Sequence, residues 1–183
     1  MRNSGKRVPR RLEPGELWEL ALKRLAARAC SAGELRQKLG ARAARAGDVD
    51  ATIARLKEYG YLDDRRFAES FTAARLENQR LGKARVARDL RRRRVAPALA
   101  EAAVRKAYQH VDEMKLIEEF IRRKYRAQPR EGLFQDEKDL ASAYRKLLRA
   151  GFSPGNVIRA LKRFAADPEL LDGFEPPPAS EEE

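Results

Sequence analysis

Catalysis needs convergent functional groups, and the first candidates in this chain are two adjacent carboxylates, Asp63 and Asp64, in the stretch GYLDDRRFAESF (60–71). A carboxylate pair could hold a divalent cation or divide acid–base work. Side chains at i and i+1 on a helix point in different directions, however, so the two rarely meet at one ion. No acidic cluster at helical spacing stands nearby to complete a site. The structural reading is simpler. An aspartate just before a helix accepts from its free N–H groups, and a second acid in the first turn suits the helix dipole. Replacing both by alanine is then expected to cost roughly 1–2 kcal/mol of capping. Cys30 and His110 are each the single residue of their kind, which leaves nucleophilic Cys/His chemistry and zinc ligation without partners. His110 reads as a helix-end or surface residue. The run Leu81-Gly82-Lys83-Ala84 imitates the end of a phosphate-binding loop, but Glu77 stands where its first glycine belongs and Ala84 where its magnesium-binding hydroxyl belongs. No enzyme is expected, and no cofactor or metal.

The chemistry that remains is electrostatic. Lys and Arg number 40 against 28 Asp and Glu, a formal charge of +12. The charge is uneven: residues 1–12 hold five cations and no acid, and residues 167–183 hold seven acids and no base. Such asymmetry points to a polyanionic partner or to a partner assembled on one. The strongest local signal is KARVARDLRRRRV (83–95). On a helix, Val86 and Leu90 form its inner stripe, Arg85, Arg88 and Arg92 share an outward face, and Arg91 to Arg94 wrap its end. Solvated helix faces usually interleave acids, and here only Asp89 does. Lys83, Arg85, Arg88, Arg91, Arg92, Arg93 and Arg94 are therefore the candidate contact residues, since guanidinium forks pair with phosphates or carboxylates. No aromatic interleaving accompanies them, so this run gives no support for stacking single-stranded bases. The acidic tail has two readings, a damper folded over the basic stripe or an inert solubilising end.

The elements that position these residues are helical. Alanine supplies 30 residues, aromatics only 7% of the chain, and β-branched residues are sparse. Periodicity and punctuation give about nine short helices in three sets of three. Pro14 starts the first, with Leu17, Leu20, Ala21, Leu25 and Ala29 on one face. Ser31 caps the second (Leu35, Leu39), and Asp48 caps the third (Val49, Ile53, Leu56), which ends at Gly60. Asp63 or Asp64 starts the fourth, bearing Phe67, Phe71, Ala74 and Leu76. A fifth follows Gly82, and Pro97 opens a sixth through Ala103 and Ala107. Helices over roughly 112–126, 136–150 and 154–166 follow, the last capped by Ser153 with Pro154 at its first position. The middle helices ELRQKL (34–39), RVARDL (85–90) and AYRKLL (143–148) align loosely. The junctions Gly60-Tyr61-Leu62-Asp63 and Gly151-Phe152-Ser153-Pro154 repeat as glycine, aromatic, then a cap.

The expected fold is all-α, an elongated tandem repeat of three three-helix units of about 45–55 residues each. Its parts are a basic flexible N-terminus (1–12), a first repeat (13–62), a second repeat carrying the basic stripe (63–111), a third repeat (112–168) with a loop near 127–135, and an acidic, Pro-rich disordered tail (169–183). One cysteine forbids an internal disulfide and fits a reducing cytosol. No secretory signal is visible, and no apolar run approaches the ~20 residues a membrane span needs. A soluble cytoplasmic protein is expected.

The segment Gly60, Tyr61, Leu62, Asp63, Asp64, Phe67, Ala68, Phe71, followed by Arg75 and then by Gly82, Val86, Asp89 and Leu90, closely resembles the RecX family, bacterial regulators of the RecA recombinase. Its pattern of glycine, aromatic, aliphatic, Asp-Asp and then Phe-Ala is fairly specific, and the looser likeness extends over about residues 15–166. The resemblance implies a fold of tandem three-helix repeats. It also implies a monomeric, non-enzymatic regulator acting in DNA repair, recombination and the SOS response. Such a protein binds in the groove of the RecA–DNA filament, in contact with RecA and with single- or double-stranded DNA. It restrains filament growth, ATP hydrolysis, co-protease activity and strand exchange. The other reading is a basic helical nucleic-acid-binding protein with no recombinase partner. One departure from the family stands out: Arg94 precedes Val95 where glycine is common. A side chain in a left-handed cap is strained by about 1 kcal/mol, so this junction is expected to be built differently.

Overall fold

The structure, a computed structural model, describes residues 10–125, 132–167 and 169. Most of the basic N-terminus, the first part of the 127–135 loop and almost all of the acidic tail lie outside them. Nine helices make up the described chain: α1 Pro14–Ala27, α2 Ala32–Gly40, α3 Ala46–Glu58, α4 Asp64–Gln79, α5 Lys83–Arg92, α6 Pro97–Tyr108, α7 Glu113–Lys124, α8 Glu137–Arg149 and α9 Pro154–Phe164. Among these residues no strand forms; the two β-bridges, Leu12 with Ala43 and Phe134 with Ala165, are isolated. The fold is the all-α helical repeat that the sequence predicts, with nine helices among the described residues.

The chain divides into two compact units, Met1–Ala68 with Leu90–Ala100, and Glu69–Asp89 with Glu101–Glu183. In the first, Leu17 and Ala21 of α1, Leu35 and Leu39 of α2, and Val49, Ile53 and Leu56 of α3 close one core, with Leu62 added from the turn after α3. These are the apolar stripes read from periodicity, and each fully buried Leu or Ile contributes roughly 1.5–3 kcal/mol. Ala29 is different: α1 stops at Ala27 and Ala29 is exposed beyond it. Nor does Asp48 cap α3. The cap is Arg45, and Asp48 sits in the first turn, where its carbonyl accepts from Thr52 Oγ1 at 2.7 Å.

The second unit has the larger core, built on Ile117 and Ile121 of α7, Leu140, Tyr144 and Leu147 of α8, and Val157 and Leu161 of α9. The 133–134 end of the predicted loop joins it. Leu133 and Phe134 are buried, and their N–H groups donate to the Phe164 carbonyl at 2.9 and 3.3 Å. Gly82 packs backbone to backbone here, its N–H donating to Ala150 O at 2.8 Å, while the Gly151 carbonyl accepts from Ala84 N at 3.3 Å. That carbonyl does for the start of α5 what a side-chain cap would do. A Cβ on Gly82 would lie 2.2 Å from Gly151 O, which accounts for the glycine without any phosphate.

Helix ends repeat one device. Gly60 N–H donates to Lys57 O at 3.0 Å and Tyr61 N–H to Leu56 O at 2.9 Å; Gly151 and Phe152 do the same toward Leu148 and Leu147. These paired bonds around a left-handed residue form the Schellman cap. Arg94 makes it too, against expectation. Its φ is +57°, its N–H donates to Arg91 O at 2.8 Å, and Val95 N–H reaches Leu90 O at 3.2 Å. The junction is therefore built as the glycine junctions are, with a strained arginine in the glycine's place.

Candidate nucleic-acid and partner interface

Asp63 and Asp64 do not converge. Asp63 Oδ1 accepts from Arg66 N at 2.9 Å and caps α4. Asp64, the first residue of α4, turns away to accept from Ala32 N at 2.6 Å. It thus serves the N-terminus of α2, where Ser31 Oγ also accepts from Glu34 N at 3.0 Å. The second aspartate therefore caps a different helix, a role its position in the first turn of α4 concealed. Elsewhere in α4 the buried positions are Ala68 and Thr72, whereas Phe67 and Phe71 are half-buried and Ala74 is exposed. The inner stripe is one residue out of phase with the predicted Phe67–Phe71–Ala74 face.

Helix α5 carries its inner stripe as predicted, Val86 and Leu90 both being fully buried. Its cations are not equivalent. In the unit of residues 69–89 and 101–183, Arg85 is half-buried instead of outward, with Nε donating to Asp89 Oδ1 at 3.0 Å. Arg85 and Arg88 both donate to the Arg149 carbonyl at 3.3 Å. Cations at that position complement the C-terminal end of the α8 dipole. Lys83 is exposed and lies near Glu113. Around Arg85 opens a cleft of about 220 Å³ lined also by Arg75, Lys146 and Arg149 over a floor that includes Leu81 and Phe120. Asp89 is the carboxylate in its lining; Arg75 Nε stands 4.0 Å from it and Arg75 NH1 donates to Gln79 at 2.7 Å. Sequence reasoning grouped Arg75 with the family motif alone and missed Lys146 and Arg149, which are far from it in the chain.

In the other unit, Arg93 and Arg94 are partly committed. Arg93 NH1 donates to Glu34 Oε1 at 3.1 Å, and Arg94 Nε to Gln37 Oε1 at 3.0 Å. Arg91 and Arg92 are exposed and pair with no carboxylate among the described residues. Of the seven predicted contact cations, these two are the freest to meet an outside anion.

Tyr61 is 59% exposed, beside Tyr59 at 56%, whereas Phe152 at the equivalent junction is buried. The two rings and that of Trp18 meet edge to face in a triangle, with centroids 5.9–6.4 Å apart. The Arg55 guanidinium lies 4.3 Å from the Trp18 centroid. Its signal in the sequence was Tyr59-Gly60-Tyr61, in which a left-handed glycine separates two aromatics.

Three remaining titratable groups are structural. Burial opposes ionisation of Glu113, but hydrogen bonds from the Ser153 hydroxyl, Asn156 and the Ser153 N–H, with Lys83 nearby, outweigh it and hold the carboxyl below its usual range. Ser153 is the residue before α9 as predicted, yet its hydroxyl donates to Glu113 at 2.5 Å and caps nothing in its own helix. Burial pushes the Tyr108 phenol far up, consistent with its donation to Leu81 O at 2.6 Å. Burial, then Glu34, raises the Cys30 thiol, which disfavours the reactive thiolate. His110 is exposed, as expected. No described helix is long and apolar enough to cross a membrane.

Comparison with known proteins adds the family. Residues 63–104 match the family model for the second three-helix domain of RecX. The regulatory protein RecX of Trichlorobacter lovleyi is 30% identical over 149 residues, spanning 81% of this chain and 95% of that protein. That of Treponema pallidum is 32% identical over 152 residues, covering 83% and 79%. Among solved structures, RecX from Lactobacillus salivarius superposes with a TM-score of 0.62 at 16% identity, covering 86% of this chain and 96% of that one. With the helical repeat, the motif from Gly60 to Arg75 and relatives matched over most of their length, the chain belongs to the RecX family of regulatory proteins.

Proposed function

We propose that this chain is a non-enzymatic, cytoplasmic regulator of RecA that acts by binding the RecA–DNA filament. Family membership supports a RecA regulator. The observation that carries the contact is the pair Arg91 and Arg92, exposed and without carboxylate partners among the described residues. An unpaired guanidinium gives up only water to meet a phosphate or a bidentate carboxylate, whereas Arg85 and Arg93 would first have to give up Asp89 and Glu34. Binding in the filament groove places such cations against both DNA phosphates and acidic protein surface. The filament is then restrained in growth, in ATP hydrolysis and in strand exchange. The test is RecA ATPase on single-stranded DNA titrated with this protein and with an Arg91→Ala/Arg92→Ala variant. Inhibition by the wild type, weakened in the variant and flatter with salt, is expected. Equal inhibition by both would remove these residues from the contact, and no inhibition by either would remove RecA.

A further inference from the structure

Tyr59 and Tyr61 are the exposed large hydrophobic side chains of the described chain. Their exposure is therefore local to this turn and not general looseness. The rings are held in place. Gly60 turns the chain at φ +71°, its bonds to α3 fix the turn, and each ring meets Trp18 edge-on at 75° and 69°. Tyrosine rings more than half exposed offer flat apolar faces to an outside group. A cation is already in place, Arg55, exposed and lying 4.3 Å from the Trp18 centroid and 5.4 Å from that of Tyr59.

We infer that Tyr59 and Tyr61, backed by Trp18 and Arg55, form a base-stacking site for single-stranded nucleic acid. Stacking of unpaired bases on aromatic faces, beside a cation that meets the adjoining phosphate, is the chemistry this set supplies. A protein partner fits less well. A stable interface buries about 800 Å² per partner around several apolar anchors, and no exposed large aliphatic side chain surrounds the tyrosines among the described residues. Duplex DNA keeps its bases stacked and offers them nothing. Two tyrosines serve one or two nucleotides. The site lies on α3 and the turn after it, not on α5, and it needs no recombinase, so it goes beyond the filament reading.

Trp18 is the only tryptophan of the chain, which makes its emission a local reporter. The full chain is titrated, without RecA, with an oligothymidylate and with an abasic phosphodeoxyribose oligomer of equal length at matched salt. Quenching by the oligothymidylate, with tighter binding than to the abasic chain, is expected. Tyr59→Leu and Tyr61→Leu should each weaken oligothymidylate binding about 5- to 100-fold and leave abasic binding unchanged, while the two Phe variants retain wild-type affinity. Equal affinity of the wild type for both oligomers, or Leu variants that bind oligothymidylate normally, would overturn the assignment. Leu variants that lose RecA-filament binding yet keep oligothymidylate affinity would overturn it too, marking the surface as a protein contact. Failure of the filament reading shows instead as normal oligothymidylate behaviour with no effect on RecA.

Discussion

Removing the Asp64 carboxylate should cost more than removing its neighbour's, and the structure gives the difference. Asp63 Oδ1 accepts from Arg66 N at an exposed helix start, so Asp63→Ala loses an ordinary cap of about 1 kcal/mol. Asp64 Oδ1 accepts at 2.6 Å from the N–H of Ala32, a residue only 3% exposed. Water cannot readily replace that acceptor, and a hydrogen bond to a charged group contributes about 1.5–3 kcal/mol. Loss of a charge from the N-terminus of α2 adds about 0.3–1 kcal/mol. Asp64→Ala should therefore cost about 2–4 kcal/mol. Asp64→Asn, which keeps an acceptor oxygen but not the charge, should fall between that and wild type. The double alanine variant then exceeds the roughly 1–2 kcal/mol that capping of one helix predicts. Urea unfolding followed by Trp18 emission is the assay, since Trp18 belongs to the same core as the helix Asp64 caps. An Asp64→Ala cost no larger than that of Asp63→Ala would refute the reasoning. So would loss of binding with stability unchanged.

Gly82→Ala should destabilise by several kcal/mol, because its Cβ would meet backbone atoms at 2.2–2.7 Å in a core that cannot shift cheaply; thermal melting checks this, and a wild-type Tm would contradict it. Arg94→Gly should raise stability by about 0.5–1 kcal/mol by releasing left-handed strain, a net gain that loss of the exposed Gln37 bond only trims; the check is urea unfolding. Glu113 has a lowered native pKa, so its stabilisation is full above the unfolded value and is lost as pH falls through the native one. Acid titration of stability should therefore be shallower in Glu113→Gln than in wild type across the range just below the ordinary glutamate pKa, and identical slopes would contradict it.

Much of this fold was legible because its signals are local. Pro14, Ser31, Pro97 and Pro154 mark helix starts, and apolar residues three or four apart mark α2, α3 and α8. What escaped was set by tertiary partners. Asp64 looks like a first-turn acid of its own helix until Ala32 is seen beside it. Gly82 reads as a failed phosphate loop until Gly151 lies against it. Arg94 looked incompatible with a left-handed cap, yet surrounding packing and the Leu90–Val95 bond hold it there at the cost of local strain. The cations of α5 formed one class in the sequence, and only acids and carbonyls distant in the chain sort Arg85 and Arg93 from Arg91 and Arg92. The aromatic triangle joins Trp18 to Tyr59 and Tyr61 across some forty residues, a distance no periodicity spans.

The central claim is that this protein recognises the RecA–DNA filament in preference to nucleic acid alone. Co-sedimentation with preformed filaments, beside the same DNA without RecA at matched moderate salt, tests it directly. Retention on filaments well above that on naked DNA is the predicted result. Equal retention on the two would contradict the claim and leave a basic nucleic-acid-binding protein in its place.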